Sequence, residues 1–235
     1  RNEDVRDRLD PFAEELARRG YLKSISQLVL KCTTPGVPDF YQGTELQDLS
    51  LVDPDNRRPV DYERRANLLA ELGDLVDAPN PEEVTDVLRA DRDRGKYYLT
   101  ARLLRLRDDY RELLRGEYQG LPLEGPASER FLAFAIGGEA GRLIGVVPRF
   151  PARIHAESEE PTSEEPLLGI PEENPNETES APVLNHPEAW ASRTYREYLT
   201  GASVSVEEEL RTDELPLPWA VLVAPEETSS TTRAE

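Results

Sequence analysis

The hydrophobic pattern of this sequence changes its period once, near Gly116, and that change limits the folds available to the chain. Before Gly116, apolar residues recur at spacings of three and four, which is typical of amphipathic helices. After Gly116, short apolar runs are separated by glycine- and proline-rich segments, which is typical of strands and turns. The pattern therefore predicts an α+β chain with a helical first half and an all-β second half.

Four helical segments are predicted in the first half. They cover residues 9–32 with a break at Gly20, a segment that begins at 59–61, a segment capped by Asn80 and Pro81, and residues 93–115. A cap of the type Asn-Pro suits the first turn of a helix, and Gly116 is placed to end the last one. Between the first two helices, residues 35–43 predict one short strand that enters a long polar loop.

Five strand-like runs are predicted in the second half. They cover residues 130–136, 142–150, 194–200, 203–206 and 217–224. The first two form a β-hairpin around a glycine-rich turn. Residues 151–188 contain seven prolines, ten glutamates and a single arginine, so we expect an exposed acidic insertion there. The predicted domains are residues 1–115 and 116–235, with the insertion inside the second.

The charge of the chain excludes several kinds of partner. Asp and Glu total 47 against 28 Lys and Arg, which gives a net charge of −19. Nucleic acids and anionic membrane surfaces both need a basic face on the protein, so neither is an expected partner. Only three of the basic residues are lysines, and this composition favours a salt-adapted cytoplasm over an ordinary acidic cytosolic enzyme.

The numbers of cysteines and methionines and the length of the apolar runs bear on the cellular compartment and on where the gene product starts. Cys32 is the single cysteine, which excludes an intramolecular disulfide and favours a reducing compartment. No apolar run approaches the roughly 20 residues of a membrane span. The sequence contains no methionine, so we expect that residue 1 is not the start of the gene product.

The densest group of polar side chains lies in residues 39–61. Its carboxylates, amides, phenol and guanidinium groups can hydrogen-bond the hydroxyls of a sugar. On composition alone, a solvated acidic loop whose Asp–Arg pairs only organise its turns is slightly favoured over a sugar site.

The order of residues in this loop resembles a known family. Residues 35–45 read PGVPDFYQGTE and residues 50–61 read SLVDPDNRRPVD. The first string is similar to the G-x-P-x-x-Y-x-G-x-E segment at the eighth barrel strand of the α-amylase family of glycoside hydrolases. The two strings together resemble more narrowly the maltooligosyltrehalose synthases within that family. The similarity extends over about residues 10–150 and 189–224, and the acidic insertion has no counterpart.

The resemblance implies an architecture and an activity. The fold would be the last strand and helices of a TIM (β/α)8 barrel followed by a C-terminal β-sandwich domain. The parent enzyme would be an isomerase of trehalose biosynthesis, in the cytoplasm and without a cofactor. It would convert the reducing-end α-1,4 linkage of a maltooligosaccharide into an α,α-1,1 linkage. No metal site is expected.

The same resemblance assigns roles to residues. The three catalytic carboxylates of the family would lie before Arg1, so none is expected in this chain, which would be inactive alone. The residues expected to hold the α-glucan substrate are Tyr41, Gln42, Glu45, Asp53, Asp55, Asn56, Arg57 and Arg58. Two alternatives stay open: another α-amylase-family hydrolase or transglycosylase, and a non-catalytic glucan-binding module that works through its β-domain.

The remaining candidates for metal-binding or sugar-binding residues have weaker support. His155 and His186 are too few to predict a zinc site. Trp219 lies in a strand pattern and is expected in the core, whereas Trp190 could stack on a sugar at the surface. A partial barrel exposes apolar faces, so we expect the chain either to associate with itself or to pack its helices against the β-domain.

Overall fold

The helical half of the chain is built from four helices. The computed structural model describes residues 2–125, 127–138, 141–150, 181–186, 190, 193–207 and 209–224. The helices are α1 (Asn2–Thr33), α2 (Tyr62–Asp77), α3 (Pro81–Ala90) and α4 (Arg92–Asp109). None of the helices among these residues combines the length and apolarity needed to cross a membrane.

Side-chain caps explain where three of the helices begin. The carboxylate of Asp61 accepts a hydrogen bond from the backbone N–H of Arg64 at the start of α2. Asn80 accepts from two N–H groups at the start of α3, with Pro81 in the first turn, and this prediction is confirmed. Asp91 caps α4 in the same way. Each cap satisfies backbone donors that the helix itself leaves unpaired.

Two predicted helix ends are wrong. Helix α1 continues through Gly20 without a break, because Tyr21 and Leu22 are buried directly after it and such burial outweighs the roughly 1 kcal/mol cost of a glycine. Helix α4 ends at Asp109, and a separate 3-10 turn at Leu113–Arg115 precedes Gly116. Gly116 is required there, since a Cβ atom would lie 2.7 Å from the Cα of Gly137.

The strand predicted within residues 35–43 is wrong as well. This segment forms bends, extended chain and a turn, and pairs with no other strand in the part of the chain that is described. A strand satisfies its backbone groups only through a neighbouring strand, and none lies beside this segment. The barrel strand that the family resemblance implied is therefore absent from the described residues.

The second half forms two antiparallel sheets. The strands are β1 (Glu117–Leu121), β2 (Leu123–Glu124), β3 (Phe131–Gly138), β4 (Gly141–Pro148), β5 (Val183–Leu184), β6 (Arg193–Glu197), β7 (Ser203–Val206), β8 (Leu210–Arg211) and β9 (Ala220–Val223). Their order is β1-β3-β4-β9-β6-β7 in the larger sheet and β2-β5-β8 in the smaller one. The predicted hairpin is confirmed as β3–β4, with Phe131 opposite Pro148.

Part of the predicted insertion belongs to this core. Residues 151–180 and 187–188 lie outside the described residues. Within residues 181–186, however, β5 pairs with both β2 and β8. Ala181 and Leu184 are buried, so the expectation of an exposed segment is wrong for these residues.

The larger sheet is apolar on both faces, and each face has its own core. One face packs against α1 and α4 through residues such as Phe134 and Val221. The other packs against the smaller sheet through residues such as Ile144 and Leu184. The helices therefore do pack against the β-half, which is one of the two arrangements expected for them. The boundary between residues 115 and 116 falls between a 3-10 turn and β1.

Candidate functional site

The candidate site is the loop that joins α1 to α2. The loop begins where α1 ends, and Arg107 of α4 fixes this point by donating to the carbonyl oxygens of Cys32, at 2.8 Å, and Gly36. The ammonium group of Lys31 lies 3.7 Å from the centre of the Phe40 ring, a cation–π contact that adds to the attachment. The start of the loop is therefore held in place without regular secondary structure.

A tight turn presents the first predicted site residues. The N–H and hydroxyl of Thr44 both donate to the carbonyl oxygen of Tyr41, at 3.2 and 2.7 Å. Gly43 has φ +91°, a conformation that favours glycine. The turn leaves 47% of Tyr41 exposed, and Gln42 is exposed beside it.

Two ion pairs organise the later part of the loop. Arg57 donates through two nitrogens to the two carboxylate oxygens of Asp53, and Arg58 donates to Asp55. Asp55 also accepts from the N–H of Leu51 at 2.8 Å. This backbone bond and the Arg58 guanidinium lower the pKa of Asp55 below its ordinary value. Both pairs are exposed, so their contribution to stability is small.

The 3-10 turn at Asp55–Arg57 carries Arg57 and Asn56. The hydrogen bond to the Asp53 carboxylate raises the pKa of Arg57. The carbonyl oxygen of Asn56 is enclosed and accepts no hydrogen bond from the described residues. The side chain of Asn56 is therefore less available to a ligand than those of its neighbours.

Glu45 is held apart from these pairs. Its Oε2 accepts from Nε of Arg65 at 2.9 Å, and the carboxylate remains about one-third exposed. It lies at the edge of a groove of about 500 Å³ between α2 and α4, which Leu69, Tyr97 and Leu104 also line. Glu45 thus joins the loop to a concave surface.

The side chains that hold this loop were not predicted. Arg65, Asp93, Lys96 and Arg107 all contact it from α2 or α4. Their partners are 20 to 75 positions away in sequence, and no local spacing in a single sequence signals such a contact. The sequence therefore indicated the loop but not the side chains of α2 and α4 that hold it in place.

Several other candidates have structural roles. Trp219 is buried and donates to the hydroxyl of Ser26 at 3.0 Å, which confirms its expected core position. Trp190 is also buried, with Arg142 at 4.3 Å over its ring and His186 stacked against it, so of the two positions left open for it, the core and a sugar-stacking surface, the structure favours the core. Cys32 is buried, and burial raises its pKa to about 11. His155 lies outside the described residues.

Taken together, the loop presents an exposed phenol, an amide and three carboxylates. Each carboxylate is paired with an arginine, and such Asp–Arg and Glu–Arg pairs offer both acceptors and donors to hydroxyl groups. This arrangement can bind a polyhydroxylated ligand. The Asp–Arg pairs also organise the turns, as the alternative reading of the loop expected.

Comparison with known proteins identifies relatives of the chain. No protein-family model matches it. It is 36% identical over 132 residues to a Mycobacterium tuberculosis protein named maltooligosyl trehalose synthase. The structure of maltooligosyltrehalose synthase from Arthrobacter ramosus matches 94% of this chain with a TM-score of 0.67 and 29% identity. The resemblance to the maltooligosyltrehalose synthases is confirmed.

The chain corresponds to a small part of those relatives. The match covers 56% of this chain but only 14% of the Mycobacterium tuberculosis maltooligosyl trehalose synthase. It covers 24% of the Arthrobacter ramosus maltooligosyltrehalose synthase. An Anoxybacillus α-amylase, at 17% identity and a TM-score of 0.50, shares the fold over 87% of this chain and 32% of its own.

Proposed function

We propose that this chain is the C-terminal part of a glucosylmutase of the maltooligosyltrehalose synthase type. The parent enzyme would convert the reducing-end α-1,4 linkage of a maltooligosaccharide into an α,α-1,1 linkage, as an isomerase. The supporting observation is the loop of residues 39–58, which presents an exposed tyrosine beside arginine-paired carboxylates.

The proposed task of the loop is to hold one glucose unit. In such a reaction the cleaved glucose must stay in the pocket, turn over and attack again through its anomeric hydroxyl. Hydrolysis is the competing outcome, so retention of the sugar and exclusion of water decide the product. Tyr41 would stack on or hydrogen-bond the sugar ring, and the paired carboxylates would accept hydrogen bonds from its hydroxyls.

The chemical step needs groups that this loop does not supply. Retaining glycosidic chemistry uses two carboxyl groups about 5 Å apart on opposite sides of the scissile bond. A TIM barrel provides them from several different strands. We therefore propose that the catalytic carboxylates lie outside this chain, and that the chain alone forms no trehalosyl product.

Two alternative functions give different outcomes. With a maltooligosaccharide, a hydrolase of the α-amylase family would create new reducing ends and a transglycosylase would leave their number unchanged, whereas a glucosylmutase would remove the existing one. A glucan-binding module would bind through its β-half instead. The exposed aromatic residue there is Tyr118, which is 48% exposed and stacks on Phe134.

The two exposed tyrosines, one in the loop and one in the β-half, allow a test with a matched control. Maltopentaose is titrated against the unchanged chain, Tyr41→Ala and Tyr118→Ala by calorimetry. We expect saturable binding that Tyr41→Ala weakens about tenfold, as for loss of one stacking or hydrogen-bonding group, while Tyr118→Ala leaves it unchanged. The opposite pattern would favour the β-half module, and no binding by the unchanged chain would refute the proposal that this loop binds sugar by itself.

The acidic, lysine-poor composition supports a second proposal about the environment. We infer a cytoplasm of high salt, because mutual repulsion of excess carboxylates destabilises a compact chain unless counter-ions screen it. The midpoint of thermal unfolding should then rise between about 0.2 and about 2 M KCl, because the Debye length falls from roughly 7 Å to roughly 2 Å over this range. A midpoint that is constant or falls would contradict salt adaptation.

A further inference from the structure

The short segment of residues 43–47 is held on one side by a single arginine of α2. Arg65 donates from Nη2 to the carbonyl oxygen of Gly43 at 2.7 Å and from Nε to Glu45 at 2.9 Å. Its third nitrogen, Nη1, donates to the carbonyl oxygen of Asp61 at 2.9 Å. One largely buried guanidinium thus joins the segment around Glu45 to the C-terminal end of the loop at Asp61.

Two side chains of α4 hold the same segment from the other side. Asp93 accepts from the backbone N–H of Gln47 at 2.8 Å and, through its other oxygen, from Arg64 at 2.7 Å. Lys96 donates to the carbonyl oxygen of Leu46 at 2.8 Å. Its ammonium group therefore lies in the contact between loop and helix, and burial there lowers the pKa of Lys96.

These contacts replace the backbone hydrogen bonds that a helix or a strand would supply. Residues 34–54 contain no helix or strand, so their N–H and C=O groups need other partners. Three side chains supply partners for Gly43, Leu46 and Gln47, the residues that surround Glu45. The backbone on both sides of Glu45 is therefore fixed by charged groups of α2 and α4.

The result is a carboxylate with a defined orientation. Oε2 of Glu45 is occupied by Arg65, whereas Oε1 accepts no hydrogen bond from the described residues. The side chain is about one-third exposed beside the groove between α2 and α4. One oxygen is therefore fixed and the other is left to face a ligand.

We infer that Arg65, Asp93 and Lys96 are positioning residues that hold Glu45 in place for a hydroxyl group of an α-1,4-glucan. The inference rests on the proposed function for the identity of the ligand. The positioning itself depends only on the contacts above. Arg65 is central, because it alone contacts both the backbone and the carboxylate.

Arg65→Gln tests the inference, with Arg94→Gln as its control. Arg94 pairs with Glu71 and also joins α4 to α2, and among the described residues its side chain contacts neither the loop nor the groove beside Glu45. Amide hydrogen exchange is followed by NMR, maltopentaose affinity by calorimetry and global stability by urea unfolding. For Arg65→Gln we expect exchange about tenfold faster at residues 43–47 only, and affinity about tenfold weaker, the effect of losing roughly one net hydrogen bond to a charged group. Arg94→Gln should change neither.

A conservative variant separates positioning from a general structural role. Arg65→Lys keeps the charge but cannot reach three oxygen atoms in a fixed geometry. We expect it to restore only part of the affinity and of the exchange protection. Full restoration would mean that charge alone matters, and faster exchange throughout the molecule would mean that Arg65 serves global stability; either result overturns the inference. So would unchanged exchange at residues 43–47 in Arg65→Gln.

The two hypotheses fail in different ways. If the unchanged chain does not bind maltopentaose, sugar binding by this loop is refuted, and the exchange data still decide whether Arg65 positions residues 43–47. If the chain binds but Arg65→Gln binds equally well, the proposed function stands and the inference is wrong.

Discussion

Glu197, at the end of β6, is a carboxylate with no exposed surface and four hydrogen-bond donors. Its Oε1 accepts from the N–H groups of Leu199 and Val221, both at 3.1 Å. Its Oε2 accepts from the N–H and the hydroxyl of Thr200, at 2.8 and 2.6 Å. The carboxylate therefore connects β6, the turn after it and β9.

Glu197→Gln keeps the shape of the side chain but replaces one acceptor by an NH₂ donor. In the better orientation the Thr200 hydroxyl rotates to accept from it, and the Thr200 N–H is left without a partner, at a cost of about 1–3 kcal/mol. The three remaining bonds lose their charge, at about 1 kcal/mol each. Relief from burying the ion offsets this loss of charge, because burial outweighs the four donors and raises the pKa of Glu197. The unpaired N–H therefore dominates, and we expect a net loss of about 1–3 kcal/mol.

Urea unfolding at pH 8 measures this loss. In a thermal scan it corresponds to a midpoint lower by about 2–12 °C for a chain of this size. Glu112→Gln is the control, because Glu112 is a glutamate at the surface and its loss should change the free energy of unfolding by less than about 0.5 kcal/mol.

The pH dependence provides a second check. Burial is the largest influence on Glu197, and it raises the pKa of the carboxyl above 4.5 despite the four donors. The folded state therefore keeps a proton that the unfolded state has lost, and the stability due to this proton is lost as the pH rises from 4.5 through the folded pKa. Because glutamine does not titrate, the gap between the two proteins should widen as the pH falls towards 4.5. A Glu197→Gln protein as stable as the unchanged chain, or a gap that narrows on acidification, would refute this reasoning.

Three further predictions concern packing and association. Gly145→Ala should destabilise the fold by about 1–3 kcal/mol in urea unfolding, because its Cβ would lie 2.4 Å from the ring of Phe134; unchanged stability would contradict this. Cys32 should react with a thiol reagent only after unfolding, since it is buried with a pKa of about 11; rapid labelling of the folded chain would contradict it. Sedimentation should detect self-association that Leu9→Ser combined with Phe12→Ser abolishes, because both side chains are more than half exposed on α1; a monomer at all concentrations would exclude it.

Local features of the sequence predicted much of the secondary structure. Asn80 and Pro81 marked the start of α3, and the glycine-rich turn marked the β3–β4 hairpin. These signals act within a few residues, so one sequence suffices to read them. Glycine is a weaker signal: Gly20 suggested a break that packing of the following residues overrides.

The candidate site was predictable only in part. The residue order in the loop indicated the family, and the loop does leave Tyr41 and Gln42 exposed. The partners of Glu45 and Gln47 could not be predicted, because Arg65 and Asp93 meet the loop only after α2 and α4 have packed together. Trp190 illustrates the same limit of sequence-based prediction. Its position in the sequence was compatible with a surface aromatic residue, whereas Arg142 and a neighbouring histidine cover its ring.

The sequence by itself determined the change from helices to strands, the acidic character of the chain and the family that its loop resembles. These properties follow from the order of neighbouring residues and from summed charge. Only the tertiary structure decided that residues 35–43 form no strand, because a strand needs a partner that no local pattern supplies. Only it decided that both faces of the larger sheet are buried and that the Glu45 carboxylate is fixed by Arg65. Such contacts join residues far apart in sequence, and they exist only once the helices and sheets have packed.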